Sequence, residues 1–272
     1  TALSLHAIDK RFGEVRALTA ASLTVRRGTV HAVLGENGAG KTTLMRIAFG
    51  MMRPDSGHVS LDGMRVSLGS SRDAIARGLG MVHQHFTLVP AMTTAENIAL
   101  GGHGTLDLRA VAARVQALAE RTGLAVDVTA RVEALGVGAQ QRVEILKALY
   151  GDAHILILDE PTAVLTPRES DELFAWLRQF TADGGTAVLV THKLQEALAI
   201  AEDVTVLRRG QHVLSTSRHG LDIDALVRAV AGDQTDVPSI LPYGGPRVRG
   251  SCVAKLVDVS VHDPHGALRI HN

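Results

Sequence analysis

The segment GENGAGKTT, from Gly35 to Thr43, constrains the fold more than any other part of the chain. It fits the pattern G-x-x-x-x-G-K-[S/T], and it lies between an apolar segment, VHAVL, and a helix-like segment, KTTLMRIAFG. Glycines allow backbone N–H groups to turn inward around a phosphate chain, and the N-terminus of the following helix adds partial positive charge. The sequence therefore predicts a strand, a phosphate-binding loop and a helix in succession.

The loop also carries side chains suited to a nucleoside triphosphate and its metal. Lys41 supplies a positive charge for the β- and γ-phosphates, and the hydroxyl of Thr42 can ligate Mg²⁺. The alternative, a glycine turn beside a solvated lysine, is disfavoured because motif and context agree. We therefore expect ATP and Mg²⁺ to bind here. The expected nucleotide-binding residues of the loop are Gly35, Asn37, Gly38, Ala39, Gly40, Lys41, Thr42 and Thr43.

Two adjacent acids, Asp159 and Glu160, end the apolar segment ILILDE. The α/β sheets bind ligands at the carboxyl ends of their strands, and neighbouring strand residues point to opposite sides, so the two carboxylates can have different roles. We expect Asp159 to ligate Mg²⁺ and Glu160 to position and polarise the attacking water. The alternative is a pair of exposed acids without a function.

Further polar and aromatic residues are candidates for the same site. His192 follows TAVLVT and can hydrogen-bond the γ-phosphate or the water, although a single histidine there is more often structural. Gln84, in MVHQHF, can reach the metal or the water through its amide. His83 and His85 flank it, but a transition-metal site needs a third ligand, which is not evident. Phe12 can stack on the adenine, with packing in a β layer as the alternative.

The alternation of short apolar strands with helices predicts an α/β fold with a mainly parallel sheet. Residues 3–33 alternate apolar and polar, and GHVSLDGMRV carries the turn signal Asp62-Gly63, so early hairpins should form an antiparallel β side-layer. Residues from about 85 to 150 indicate an α-helical subdomain. A later helix should begin at Thr166, with Glu169 completing a capping box.

The composition changes after Gly232. Residues 232–251 are rich in proline and glycine and lack periodicity, which indicates a linker. Residues 252–272 approximately repeat the rhythm of the N-terminus, with Val257-Asp258 matching Ile8-Asp9. We therefore expect a first domain at residues 1–231 and the truncated start of a second copy at 252–272. An ordinary C-terminal β-hairpin is the alternative.

The order of these motifs is more specific than any one of them. ATP-binding cassette (ABC) ATPases have the same order of motifs: a phosphate loop, a glutamine after a strand, a glycine turn before a helix, a strand that ends in Asp-Glu and a strand that is followed by His. The chain resembles that family from residue 1 to about 231, which implies a P-loop ABC ATPase core that hydrolyses ATP. The resemblance also implies a signature turn that closes on the γ-phosphate bound by another domain. This signature turn consists of Leu135, Gly136, Val137, Gly138, Ala139 and Gln140.

The signature turn departs from the family pattern. A serine usually stands where Gly136 is found, and glutamine or glutamate often stands where Ala139 is found. Loss of the serine removes one hydrogen bond to a charged oxygen, an effect of about 1.5–3 kcal/mol, while the helix dipole remains. Because the turn acts in trans, we expect a weakened site on the partner domain and a competent site around Lys41, Asp159 and Glu160.

Two longer segments, HQHFTLVPAMTTAENIALG and ILILDEPTAVLTPRE, resemble the tandem ATPase subunits of importers for simple sugars and nucleosides. HQHF followed by LVP is closer to the nucleoside branch. The resemblance implies a second nucleotide-binding domain in the same full-length chain, transmembrane permease subunits as partners and, indirectly, a substrate-binding protein. It implies a peripheral location at the cytoplasmic face of the cell membrane. The expected permease-docking residues, with core packing as the alternative, are Phe86, Leu88, Val89 and Met92.

Charge and composition bear on the rival functions. The 28 basic and 28 acidic residues cancel, which disfavours a soluble tandem ABC ATPase acting on ribosomes or DNA, so we expect no nucleic acid partner. A P-loop kinase or a GTPase-like switch would not need the glycine turn before ILILDE. A module that holds ATP without hydrolysing it is disfavoured by Glu160. The single cysteine, Cys252, and the short apolar runs fit a reducing compartment and a chain without a membrane span.

Overall fold

The computed structural model describes residues 1–100, 107–232, 261–262 and 268–270. The chain forms two units, Thr1–Asp233 and Gln234–Asn272. Residues 233–251 of the predicted linker lie outside the described residues. In the second unit, Val261–His262 and Leu268–Ile270 form an antiparallel pair. The remainder of residues 252–272 is outside the described part, so a second copy of the first domain stays a prediction.

Strands and helices alternate along the first unit. Its elements are, in chain order, β1 (Leu3–Phe12), β2 (Val15–Val25), β3 (Val30–Leu34), α1 (Lys41–Ala48), β4 (Ser56–Leu61), β5 (Met64–Val66), α2 (Ser71–Ile75), β6 (Leu79–Val82), α3 (Thr94–Ala99), α4 (Leu108–Thr122), α5 (Val137–Tyr150), β7 (Ile155–Asp159), α6 (Pro167–Ala182), β8 (Thr186–Thr191), α7 (Leu194–Ile200), β9 (Asp203–Arg208), β10 (Gln211–Ser217) and α8 (Ile223–Ala231). Short 3-10 turns lie at Val132–Ala134 and Arg218–Gly220.

A six-stranded sheet forms the centre of this unit, in the order β10-β9-β3-β8-β7-β6. Its neighbouring strands are parallel except for β9 and β10. Every residue of β3, β7 and β8 is buried, as expected for strands covered on both faces. The predicted mainly parallel α/β sheet is confirmed. Polar side chains can therefore reach a ligand only where these strands end.

A four-stranded antiparallel sheet, β2-β1-β4-β5, forms the predicted side layer. The hairpin between β4 and β5 is closed by Asp62 and Gly63, whose φ angles are 51° and 79°. Two positive φ angles are typical of a type I′ turn, for which Asp-Gly is a preferred sequence. Apolar residues of this sheet and of α1 belong to one hydrophobic cluster. The side layer thus covers the helix that begins at the phosphate loop.

The helices α3, α4 and α5, which come between β6 and β7 in the sequence, pack against one another. Val115 and Leu118 are buried on α4, on the face that the sequence pattern predicts. The helix α6 begins with the predicted capping box, in which Thr166 and Glu169 exchange hydrogen bonds, and Gly184 follows its end with a φ of 95°. No described helix has the combination of length and apolar character that crossing a bilayer requires.

A buried histidine lies inside the central sheet. His31, on β3, is 2% exposed, and its Nε2 lies 2.8 Å from Oγ1 of Thr205 on β9. Its Nδ1 has no hydrogen-bond partner among the described residues. Burial lowers the pKa of His31 from 6.5 to about 4. The imidazole is therefore neutral at neutral pH, in a place where a positive charge would have poor solvation.

We expect His31 to make the free energy of unfolding depend on pH. The unfolded chain protonates this histidine near pH 6.5, whereas the folded chain resists protonation until about pH 4, so stability falls as the pH drops through this window. At about 1.4 kcal/mol per pKa unit, the loss approaches about 3 kcal/mol. Urea unfolding across the window measures it. The control is His31→Gln, which keeps a polar group near Thr205; equal pH dependence of both proteins would contradict the assignment.

Candidate nucleotide-binding site

An open pocket of about 510 Å³ lies beside the phosphate loop. A volume of this size is within the range of small-ligand sites. Its walls come from the phosphate loop, the start of β2, the turn between β9 and β10, and the residues that follow β6 and β7. The lining residues are Val15, Arg16, Ala17, Asn37, Gly38, Ala39, Gly40, Lys41, Thr42, Thr43, Gln84, Glu160, Arg209 and Gly210. The predicted loop residues from Asn37 to Thr43 thus meet segments that are distant in sequence.

Close packing requires glycine at two positions of the phosphate loop. Gly35 has a φ of 157°, and a Cβ there would collide with the carbonyl oxygen of Leu207 on β9. Gly40 has a φ of 100°, and its Cβ would lie 2.8 Å from the carbonyl oxygen of Ala17 on β2. Gly40 also caps α1 without a side-chain hydrogen bond. The N–H groups at the start of α1 are therefore left for an anion, as the helix dipole favours.

Lys41 is buried at the base of the pocket, with 5% of its side chain exposed. Its Nζ donates hydrogen bonds to the carbonyl oxygens of Gly35, at 2.6 Å, and Glu36, at 3.0 Å. Burial lowers the pKa of Lys41, and the charges of Glu160 and Asp159 oppose that change. The ammonium group has lost most of its water, its hydrogen-bond acceptors are neutral, and the carboxylate of Glu160 lies 4.0 Å away, so an incoming phosphate is a favourable hydrogen-bonding partner.

Asp159 is the last residue of β7 and is 2% exposed. Burial raises the pKa of its carboxyl group, and a hydrogen bond with the side chain of Thr42 opposes that change. Oδ1 of Asp159 has no hydrogen-bond partner among the described residues. An unpartnered, buried carboxylate oxygen beside a hydroxyl is a set of hard oxygen ligands that suits Mg²⁺. The residues predicted to hold the metal therefore fit that ion.

Glu160 is the centre of a cluster of polar groups. Its Oε1 lies 3.1 Å from Nδ1 of His192 and 4.0 Å from Nζ of Lys41, and its Oε2 accepts a hydrogen bond of 3.4 Å from Nε2 of Gln84. The structure thus brings together side chains that the sequence predicted for one site. Strand alternation predicts that the carboxylates of Asp159 and Glu160 point to opposite sides, but β7 ends at Asp159. The direction of the Glu160 side chain is set instead by its left-handed backbone, with a φ of 49°. Such backbone strain is characteristic of functional positions.

Five predicted elements lie outside the pocket lining: Gly35, Asp159, His192, Phe12 and the signature turn. The side chains of Asp159 and His192 still contact the lining residues Thr42 and Glu160, respectively. Phe12 is the last residue of β1, pairs with Val15 and is 47% exposed. It neighbours the pocket without lining it, so its stacking on an adenine stays a prediction. The signature turn lies at the N-terminus of α5 and contributes no residue to this pocket. Its action on a phosphate bound by another domain also stays a prediction.

The two glycines of the signature turn differ in their surroundings. Gly136 caps α5 without a side-chain hydrogen bond, and a Cβ there would meet no atom within 4 Å. At Gly138, in contrast, a Cβ would collide with the carboxylate of Glu169. Hydrogen bonds from Thr166, and more weakly from the backbone of Gly138, lower the pKa of Glu169. A carboxylate of the same chain therefore lies against the N-terminus of the signature helix.

Several pocket residues carry no sequence motif, and sequence reasoning missed them. These residues are Val15, Arg16, Ala17, Arg209 and Gly210. The dipeptide Arg209-Gly210, between two strand-like segments, could have located a turn. Its position beside the phosphate loop follows from the pairing of β9 with β3, which a single sequence does not display.

A buried carboxylate joins α5 to the segment that contains Gln84. Glu144 is 3% exposed and accepts hydrogen bonds from the backbone N–H of Thr87, at 2.5 Å, and from its hydroxyl, at 3.0 Å. On the next turn of α5, Nζ of Lys147 donates to the carbonyl oxygen of Thr87 at 3.4 Å. The helix that begins at the signature turn is thereby fastened to the residues that follow β6.

Comparison with known proteins gives consistent similarities. Residues 18–163 match the ABC transporter family. The glucose import ATP-binding protein TsgD13 of Haloferax volcanii is 41% identical to the chain, over 99% of the chain and 54% of that protein. The nucleoside import ATP-binding protein NupA of Lactococcus lactis subsp. cremoris is 39% identical, again over 99% of the chain and 54% of that protein. The chain thus spans about half the length of the curated relatives it matches.

Solved structures resemble the chain in architecture. A nucleotide-free ATP-binding cassette from an ABC transporter gives a TM-score of 0.72 at 24% identity, over 79% of this chain and 91% of that one. The dimeric structure of MJ0796, a bacterial ABC transporter cassette, gives a TM-score of 0.70 at 25% identity, over 80% of this chain and 100% of that one. Both likenesses extend well beyond the phosphate loop.

We expect the contact between Glu144 and Thr87 to contribute to stability. Glu144→Ala leaves the backbone N–H of Thr87 without its acceptor and should lower the free energy of unfolding by about 1–3 kcal/mol. Glu144→Gln keeps one acceptor oxygen and should cost less. Urea unfolding measures both changes, with Glu14→Ala at an exposed position as the control. Equal losses for the alanine and glutamine variants would contradict this expectation, because they would show that the acceptor oxygen kept by glutamine does not stabilise the contact with Thr87.

Proposed function

The chain belongs to the ABC transporter family of ATP-binding proteins, and from this we propose that it binds and hydrolyses ATP to drive an importer for nucleosides or simple sugars. The convergence of Lys41, Gln84 and His192 on Glu160 is the observation that carries the proposal. The substrate class is taken from the relatives, which are described as glucose and nucleoside import ATP-binding proteins.

In this proposal, each polar group of the pocket has one task in hydrolysis. Lys41 and the N–H groups of the phosphate loop bind the β- and γ-phosphates. Glu160 accepts a hydrogen bond from the attacking water and polarises it, while Gln84 and His192 orient Glu160, the water and the γ-phosphate. The water oxygen bonds to the γ-phosphorus as the bond from that phosphorus to ADP breaks. The proton of the water passes toward Glu160.

We propose Mg²⁺ as the metal that accompanies ATP. Thr42 and Asp159 would hold it, with the amide of Gln84 as a further ligand, and the unpartnered Oδ1 of Asp159 supports this assignment. When bound, Mg²⁺ neutralises charge that develops on the phosphate oxygens. Burial has already raised the pKa of Asp159, so this carboxylate gains more from a cation than an exposed one would.

We propose that the full-length protein contains a second nucleotide-binding domain and that the two domains pair head to tail. The chain matches only 54% of the length of each of these relatives, which supports this proposal. In such a pair, the signature turn of this chain would face ATP bound by the second domain. Gly136 offers no hydroxyl, and the carboxylate of Glu169 lies near the same helix N-terminus. Both features weaken phosphate binding there, so the site around Glu160 would be the stronger of the two.

The partners proposed outside the chain are transmembrane permease subunits and, indirectly, a substrate-binding protein. Val89 is 38% exposed in the segment after Gln84, and Phe86 and Met92 are half-buried. Leu88 is partly buried against the hydrophobic core, which agrees with core packing, the alternative to permease docking for this residue. The bond from Thr87 to Glu144 ties this segment to the signature helix. A permease docked here at the cytoplasmic face of the membrane would therefore respond to movement of that helix.

Glu160→Gln tests the ATPase assignment. The amide keeps the shape of the side chain but cannot take a proton, so hydrolysis at this site should fall about 10²- to 10⁴-fold while ATP still binds. Single-turnover hydrolysis by the full-length protein measures the effect. The matching change in the second domain is the comparison, and Lys41→Ala should abolish binding itself. Unchanged turnover in Glu160→Gln would rule out this carboxylate as the catalytic group.

Gly136→Ser tests the weakened signature turn. The serine has open space and an ordinary backbone conformation, with φ of −64°, and its hydroxyl can donate to a phosphate oxygen. We expect hydrolysis at the second domain's site to rise about tenfold, which corresponds to about 1.4 kcal/mol. Gly138→Ser, which collides with Glu169, is the control and should lower activity. A serine at position 136 without effect would show that the missing hydroxyl is not limiting.

A further inference from the structure

The turn between β9 and β10 is fastened directly to the phosphate loop. The backbone N–H of Gly210 donates to the carbonyl oxygen of Ala39 at 3.0 Å, and the carbonyl oxygen of Gly210 accepts from the N–H of Thr19 at 2.8 Å. A Cβ at Gly210 would lie 2.6 Å from the carbonyl oxygen of Ala17. Backbone contacts on two sides therefore fix the position of Arg209, the other residue of this turn.

The backbone of Arg209 is strained, and the turn could form without an arginine at this position. Arg209 and Gly210 have φ angles of 50° and 78°, as a two-residue type I′ turn demands. The corresponding turn of the other hairpin, with φ angles of 51° and 79°, uses the favoured residues Asp62 and Gly63. A non-glycine residue with a positive φ costs about 1–2 kcal/mol, and arginine lacks the short polar side chain that reduces this cost. Arginine therefore stands here against the local backbone preference.

Arg209 is one of the residues that line the nucleotide pocket, and it is exposed. No described acidic group lies within 4 Å of its guanidinium. Arg16 and Lys41 line the same pocket, where Glu160 is the acidic lining residue. The pocket is therefore locally positive in a chain whose formal net charge is zero. A polyanion is the ligand that this arrangement favours.

We infer that Arg209 binds the phosphate chain of the nucleotide and adds a cation to the phosphate loop from the neighbouring hairpin. The inference rests on the proposed ATP site. The guanidinium presents planar N–H donors that match phosphate oxygens, and its turn is bonded to Ala39 in the middle of the loop. Arg209 thus raises affinity for phosphorylated nucleotides.

Arg209→Gly separates binding from folding. Glycine fits the positive φ, so the nucleotide-free protein should melt a few degrees higher. Loss of the guanidinium should weaken binding of mant-ATP roughly tenfold and reduce the salt dependence of its Kd. Arg209→Asn, a neutral residue that tolerates this conformation, should show the same loss of affinity. Arg65→Ala, which removes the same charge from an exposed site on β5, is the control and should bind as the unaltered protein does.

Three outcomes would overturn the inference. The first is unchanged affinity in both Arg209 variants, which would make this arginine a surface residue only. The second is an equal loss in Arg65→Ala, which would indicate a diffuse effect of net charge. The third is an equal loss for mant-adenosine and mant-ATP, which would place the contact on the nucleoside. Failure of the unaltered protein to bind mant-ATP would instead refute the proposed function, so the two failures are distinguishable.

Discussion

The nucleotide site depends on the burial of three central strands on both faces. Each residue of β3, β7 and β8 is buried, so these strands can present charged groups to solvent only at their ends. The phosphate loop follows β3, the pair Asp159 and Glu160 comes at the end of β7, and His192 follows β8. Because the strands are parallel, their carboxyl ends coincide at one edge. Burial of apolar side chains thus concentrates the chemistry at one place.

Burial also sets the electrostatics of that edge. Lys41 and Asp159 have lost water, and burial shifts both pKa values toward the neutral forms, downward for the ammonium and upward for the carboxyl group. Neutral carbonyl oxygens hold Lys41, and one oxygen of Asp159 is unpartnered in the described residues. A bound phosphate and its cation would add counter-charges to that of the Glu160 carboxylate, which lies 4.0 Å from Nζ of Lys41. Part of the binding free energy would then come from relief of unfavourable desolvation already present in the fold.

The sequence predicts the features whose causes are local. The phosphate loop, the Asp62-Gly63 hairpin and the capping box of α6 each depend on a few adjacent residues, and the structure has all three. The sequence predicts the place of Glu160 at the end of a strand but not its orientation, because strand alternation gives way to a left-handed residue just past β7. Arg209 and the contact between Glu144 and Thr87 depend on segments far apart in the chain. Strand pairing sets the position of Arg209, and helix packing sets the contact between Glu144 and Thr87. Neither produces a motif that can be recognised in a single sequence.

The signature turn shows why two glycines in one motif need separate explanations. A side chain at Gly138 would occupy the space taken by the carboxylate of Glu169, which would then have to move. That carboxylate takes part in the capping box of α6, so its displacement would cost hydrogen bonds, and a contact between two helices therefore favours glycine at position 138. Gly136 has open space and an ordinary φ, and nothing in the described fold excludes a serine there. The absence of a hydroxyl at Gly136 is therefore not imposed by the described fold.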